Sequence, residues 1–176
     1  MASRRTLADL LHGATRRIFV SYHHSGDRPY YDAFAGLMAN IYEVVQDTSV
    51  DQEIDSDDVE YVLRTIRENC ITGSSCTVVL CGAGTPWRKF VDWEIKATLD
   101  KGHGLIGVNL PTNPIDTDGR YFVPSRLSDN IESDYALWTT WAVASDPAQL
   151  KLLVEQARNR SAGLIRNDRA MRTRNS

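Results

Sequence analysis

The side chain best placed for chemistry is Glu94, within Pro86-Trp-Arg-Lys-Phe-Val-Asp-Trp-Glu-Ile95. It follows Phe90, Val91 and Trp93, so a carboxylate stands where the pattern otherwise marks a buried helix face. In such surroundings it can stabilise a developing cation, and nearby aromatics can stack on a cationic ring. The same glutamate on a solvated face would only pair with Lys101 or meet Thr98, and spacing alone leaves both readings open. A second group is His23-His24. Adjacent residues point in different directions and no acidic or histidine partner lies at helical spacing, so metal ligation is disfavoured. A histidine at a cleft mouth, stacking on or hydrogen-bonding a ligand, is the sharper reading; a loop histidine facing water is the plain one.

Other candidates carry less. Asp51, Glu53, Asp55 and Asp57 mimic the odd-numbered ligands of a calcium loop, but position six is Ser56 instead of Gly and position twelve is Val62 instead of Glu. A solvated loop running into a helix cap fits better. Three cysteines, Cys70, Cys76 and Cys81, are odd in number and lack C-x-x-C spacing, which suits reduced core residues. Neither G-x-G-x-x-G nor G-x-x-x-x-G-K-[ST] occurs, and Gly82-Ala-Gly84 alone is a weak phosphate signal. No metal site and no resident cofactor is expected.

The elements that must position these residues alternate. Arg17-Ile-Phe-Val-Ser-Tyr22 reads as a buried strand, and Asp27 with Pro29 as the start of a helix whose stripe is Tyr30, Ala33, Phe34, Leu37, Met38 and Ile41. Glu43–Asp47 reads as a second strand and 48–56 as a polar loop. Asp57 and Glu60 resemble a capping box before a helix carrying Val59, Leu63 and Ile66. Cys76–Cys81 shows no alternation, as a strand buried on both faces would. A helix from about Phe90 should end at Lys101-Gly102, before a strand over Leu105–Leu110. Residues 111–130 are loop-rich, Tyr135–Trp141 suggests a fifth strand, and Asp146-Pro147 opens a last helix. This βα alternation predicts an α/β, flavodoxin-like three-layer sandwich with a five-stranded parallel sheet of order 2-1-3-4-5. Ligands of such sheets bind beyond the carboxyl ends of strands 1 and 3, which directs attention to 22–27 and 82–88.

Length and charge bound the rest. The 176 residues, 42% hydrophobic, suffice for one core. A net charge of −3 excludes a globally basic nucleic-acid binder. Residues 1–17 carry +3 and 156–176 carry +5, leaving −11 on the 138 residues between. No run approaches the ~18 apolar residues of a membrane helix and no signal peptide is evident, so a soluble, cytoplasmic chain with no membrane or nucleic-acid partner is expected. The organisation expected is an extension over 1–15, a domain over 16–160 and a mobile basic tail over 161–176.

Several anchors in fixed order carry a resemblance. Arg17-Ile-Phe-Val-Ser-Tyr-His23, Val79-Leu-Cys-Gly-Ala-Gly-Thr85, Phe90-Val-Asp-Trp-Glu94-Ile, Lys101-Gly102 and Leu105-Ile-Gly-Val together resemble the TIR-like domains of bacterial Thoeris anti-phage systems. The resemblance covers about residues 16–110, and the segment to about 160 by architecture only. It implies an enzyme that takes NAD⁺ as substrate, breaks the nicotinamide–ribose bond and converts the ADP-ribose part into a cyclic signal for a separate effector protein. The family's catalytic glutamate falls on Glu94. The usual Trp four residues earlier is Phe90 here, so an aromatic wall is kept while an indole N–H is lost. By the same resemblance and the switch-point rule, Tyr22, His23, Asp47, Gly82, Thr85, Phe90 and Trp93 are expected to bind NAD⁺. Such domains are often completed by a neighbouring subunit. Self-association, low activity before a phage component triggers it, and movement of the 48–56 loop are therefore expected. A non-catalytic interaction module of the same fold is the alternative.

Overall fold

A computed structural model describes residues 16–46 and 58–175. Five strands, β1 (Arg16–Ser21), β2 (Tyr42–Val45), β3 (Ser74–Cys81), β4 (Gly104–Asn109) and β5 (Leu137–Thr140), form one sheet in the order β2-β1-β3-β4-β5. All four pairings are parallel. The predicted order is thus the observed one, and each crossover carries helical structure as parallel pairing requires.

Period-two alternation along the strands divides the core. Ile18, Val20 and Tyr22 with Cys76, Val78 and Leu80 face α1 (His24–Met38) and α6 (Pro147–Arg158), meeting Phe34, Met38, Leu150 and Val154. On the other face, Val79, Cys81 and Leu105 meet Val91, Ile95 and Leu99 of α3 (Lys89–Asp100) and Leu127 of α4 (Ser125–Glu132). Phe19 meets Val62, Leu63 and Ile66 of α2 (Val59–Ile66) together with Trp93 and Ala97. A short α5 (Trp141–Ala144) links β5 to α6. Every β3 residue from Cys76 to Cys81 is buried, so the missing alternation there does reflect cover on both faces.

Local chemistry sets the element ends. Asp146 caps α6 by accepting from Ala148 and Gln149 N–H, with Pro147 at the first helical position. Helix α3 ends as predicted: Gly102, at φ +65°, donates its N–H to Leu99 O.

Elsewhere the structure corrects the sequence reading. Helix α1 begins at His24 with His23 as N-cap, so Asp27 lies inside the first turn and Pro29 beyond it. Its buried stripe is Asp27, Tyr31, Phe34 and Met38; Ala33 and Leu37 are exposed, because the helix is rotated to bring Tyr31 under Tyr22. The cap of α2 is Asp58, which accepts from Tyr61 N–H; Asp57 lies outside the described residues. The helix α4 occupies part of the segment read as loop. It has few apolar residues and a polar buried face, Arg126 and Asn130, which hydropathy does not register.

The end of the chain differs most from expectation. Instead of hanging free, residues 166–175 lie as a strap along α3 and α4. Asn130 reads the strap backbone at Arg166, accepting its N–H at 3.0 Å and donating to its carbonyl at 2.7 Å. Arg169 pairs with Asp129, and Asn167 donates to Asp100 Oδ1. Arg172 N–H reaches Asp92 Oδ2 at 2.9 Å, and Asn175 Oδ1 accepts the Lys89 N–H. An Arg- and Asn-rich segment reads as mobile, yet here its backbone and Asn167 meet the buried polar groups Asn130, Arg126 and Asp92, and Met171 packs against the Phe19 cluster.

Candidate functional site

The site forms where β1 and β3 end, and two periodicities place its central group. Phe19 and Ser21 share the β1 face turned toward α3, while Val20 and Tyr22 turn the other way. On α3, Val91, Ile95 and Leu99 grip the centre of the sheet and Trp93 and Ala97 grip Phe19. Glu94 and Thr98, one turn apart, lie between those two rows. Thr98 Oγ1 donates to the Glu94 carbonyl at 2.8 Å and shares a 2.7 Å hydrogen bond with Thr77 Oγ1, which seats the helix on β3.

The Glu94 carboxylate is not the surface group that composition alone allowed. The residue is 3% exposed, and its Oε2 accepts the Ser21 hydroxyl at 2.5 Å. Ser21 is itself 1% exposed and stands beside Val79 of β3. A carboxylate removed from water in this way needs strong donors, and a short hydroxyl bond supplies one.

The loops after β1 and β3 are pressed together. The His23 ring lies between Gly26 and Gly84, where an added Cβ would come within 2.7 and 2.6 Å of Nδ1. Its Nε2 meets Ser25 Oγ at 2.8 Å. Burial, then the Arg88 guanidinium, then His24 push its pKa below the ordinary histidine value, so the ring is neutral near pH 7. Arg88 itself is half-buried, and its Nε is shielded from solvent without a hydrogen-bond partner among the described residues.

Beneath His23, Asp27 of α1 and Thr85 of the second loop tie the two segments. Thr85 Oγ1 accepts the Gly82 N–H at 2.9 Å and lies 3.0 Å from Asp27 Oδ2 and 3.2 Å from Leu80 O. Gly82 is required by space, because a Cβ there would sit 2.2 Å from Asp27 Oδ1. Asp27 is 3% exposed, and burial raises its pKa despite the Thr85 hydrogen bond.

Of the residues read from the sequence, His23, Gly82 and Thr85 therefore meet in one cluster at the switch point, and Glu94 joins β1 through Ser21. Phe90 stands half-buried with Trp93 edge-on at 5.5 Å and the Lys89 ammonium 5.0 Å from its ring centroid. Tyr22 and Trp93 serve the core. The Tyr22 ring is stacked between His24 at 4.3 Å and Tyr31 at 4.7 Å, and its hydroxyl bonds Gln46 Oε1. Trp93 is 5% exposed and donates its indole N–H to Arg172 O at 2.8 Å. Asp47 and the 48–56 loop lie outside the described residues. Ser21, Asp27 and Arg88 are not marked as site residues by the sequence; for Ser21 the available signal is a small hydroxyl in register with Phe19, closing the apolar run Ile18–Val20.

Two of the three cysteines belong to the core. Cys76 and Cys81 are fully buried free thiols whose pKa values burial pushes far up, which fits core residues; the Cys70 side chain is outside the described set. Among the described residues no three His, Cys, Asp or Glu side chains are grouped to hold a metal ion, and no helix is long and apolar enough to cross a membrane. A cavity of about 270 Å³ opens between Pro86, Pro124 and strap residues 169–172, away from Glu94.

A parallel sheet of order 2-1-3-4-5 with helices around it, here carrying a buried carboxylate on the helix after β3, defines an α/β flavodoxin-like domain. The model of the family described as "Thoeris protein ThsB, TIR-like domain" matches residues 19–115, and the chain belongs to that family. It is thus a TIR-domain protein of a defence system. Among solved structures, the TIR domains of the activated Roq1 resistosome directly recognizing the pathogen effector XopQ align with a TM-score of 0.39 and 13% identity, over 83% of this chain and 85% of that one. No curated protein matches the sequence.

Proposed function

We propose that this chain cleaves NAD⁺ between nicotinamide and ribose, with Glu94 as the catalytic carboxylate, and closes the remaining ADP-ribose into a cyclic signal read by a separate effector. The observation that carries the reading is the Glu94 carboxylate, buried at the switch point and held against the end of β1 by Ser21. A family of defence proteins with the TIR fold supports it. Departure of nicotinamide builds positive charge on the ribose, and because nicotinamide is already a good leaving group no strong general acid is needed. One preorganised carboxylate in a dry site stabilises that charge by roughly 3–4 kcal/mol, or 10²–10³ in rate. His23, neutral and at the mouth, offers a ring nitrogen to a ligand hydroxyl or amide. Arg88 brings a cation to the same mouth, suited to the diphosphate. Exclusion of water by the closed loops favours attack by a hydroxyl of the same ADP-ribose over hydrolysis.

The test is release of free nicotinamide from NAD⁺ by purified protein, followed by chromatography of the nucleotide product. Glu94→Gln keeps shape and removes charge. It is expected to lower turnover at least about 100-fold while the thermal unfolding midpoint stays near wild type. Turnover by the variant within threefold of wild type overturns the assignment, and linear ADP-ribose as sole product overturns the cyclase step.

A further inference from the structure

The role of Ser21 follows from its geometry and rests on the reading of Glu94 as the catalytic carboxylate. We infer that the Ser21 hydroxyl is a positioning residue, fixing the rotamer of Glu94 so that its carboxylate faces the reacting ribose. Ser21 is 1% exposed, its Oγ stands 2.5 Å from Glu94 Oε2, and 73 residues separate the two in sequence. A buried serine on a central strand could have been alanine at no loss of packing. Its hydroxyl needs a partner, and Glu94 is the one it has taken.

The two elements differ in rigidity, which gives the bond a direction of influence. Ser21 is part of β1, hydrogen-bonded between β2 and β3, whereas a glutamate side chain has three free torsions. The strand therefore positions the side chain. The helix backbone is anchored at Glu94 by Thr98 Oγ1 and by the Thr77–Thr98 bond, and Oε2 is where β1 holds the carboxylate. Occupying Oε2 with a charge-assisted donor orients the carboxylate plane without neutralising it. Misplacing a reacting group by an ångström is enough to lower the rate by about two orders of magnitude.

Three variants and two readouts test this. Ser21→Ala removes the donor, Ser21→Thr keeps it on a β-branched residue suited to a strand, and Ser21→Ala in the Glu94→Gln background asks whether the effect passes through Glu94. For Ser21→Ala, kcat is expected to fall roughly 10–100-fold with KM within twofold of wild type. Ser21→Thr is expected to recover most of kcat, and the double variant to be no slower than Glu94→Gln alone. Independently of turnover, protein carrying ¹³C at glutamate side-chain carboxyls shows one resonance that vanishes in Glu94→Gln. That resonance is expected to move in Ser21→Ala and to return in Ser21→Thr. An unmoved resonance, or unchanged kcat in Ser21→Ala, overturns the role of Ser21 and leaves the NAD⁺ reading standing. A wild type that releases no nicotinamide under any condition overturns the NAD⁺ reading, while the carboxyl resonance still decides whether Ser21 orients Glu94.

Discussion

Arg126 grips Asp92 with two hydrogen bonds, Nε to Oδ1 at 2.8 Å and Nη2 to Oδ2 at 3.3 Å, and Arg126 is completely buried. The pair joins α4 to the helix that carries Glu94 two residues on. It also nucleates the strap, because the remaining guanidinium donors reach Asn167 Oδ1 and Ala170 O while Asp92 Oδ2 accepts the Arg172 N–H. Removing one partner of such a pair strands the other and typically costs about 3–5 kcal/mol. Arg126→Met, which keeps volume, is therefore expected to lower the thermal midpoint by roughly 6–20 °C. The strap should also loosen, seen as faster amide exchange at Arg172, whose N–H now bonds Asp92. A midpoint within 2 °C of wild type contradicts this account.

A second prediction concerns Asp27 and pH. Burial raises its pKa above the usual carboxylate value, so the folded state prefers the protonated acid and is strained by the ionised one. The contribution of Asp27 is thus most favourable below its unfolded pKa and is lost as pH rises through the folded value. The surrounding atoms accept a protonated group well: the acid would donate to Thr85 Oγ1, freeing that hydroxyl for Leu80 O. Asp27→Asn supplies such a donor at every pH. It is expected to raise the denaturation midpoint at pH 7, with the advantage shrinking toward pH 4. A variant less stable than wild type at pH 7 would contradict it.

Much of this was legible in the sequence, and the two segments it missed most are those buried through polar groups. Apolar runs at Ile18–Val20, Cys76–Cys81 and Leu105–Val108 fix strands that the sheet confirms in order, because burial on both faces leaves an unbroken hydrophobic signal. The Glu94 helix is legible from Phe90, Trp93, Ala97 and Thr98, and the switch-point rule points to the loops that bring His23, Gly82 and Thr85 together. Helix α4 and the strap were not. Arg126 and Asn130 are polar yet buried, Asn167 of the strap bonds Arg126, and hydropathy marks such residues as solvent-facing. The switch-point rule and the family resemblance mark Tyr22 as a ligand residue, while its stack with His24 and Tyr31 is a tertiary contact that no sequence pattern displays.

A third prediction follows from the Arg88 cation at the site mouth. Its Nε has no hydrogen-bond partner among the described residues, and its charge helps hold His23 neutral. If this cation meets the diphosphate, Arg88→Ala should raise KM for NAD⁺ roughly 10-fold, on the order of 1.5 kcal/mol for a charge-assisted hydrogen bond, with kcat changed less than threefold. The same change removes a repulsion from His23. In an NMR titration, the His23 pKa should therefore move upward toward the ordinary histidine value. An unchanged KM would place the diphosphate elsewhere, whatever the histidine does.

The last prediction concerns control. Glu94 is 3% exposed, and its Oε2 is already engaged by Ser21, so a ribose gains contact only after the surrounding structure opens, and the loops after β1 and β3 leave the sheet at that end. Those loops are not soft. His23 is lodged between Gly26 and Gly84, and Asp27, Thr85 and Gly82 are bonded to one another, so the closed form has specific contacts that opening must break. A protein whose competent form is populated at the level of about 1% shows an apparent rate reduced by that same factor, and anything that binds the open form preferentially restores it. A second copy of the domain that completes the site would act in this way, with a linkage to protein concentration. Turnover per subunit is therefore expected to be low in dilute, monomeric protein. It should rise at least tenfold on assembly, followed by nicotinamide release across a dilution series whose oligomeric state is read in parallel by light scattering. Full turnover in the demonstrably monomeric fractions would show that the closed site described here is no barrier to NAD⁺.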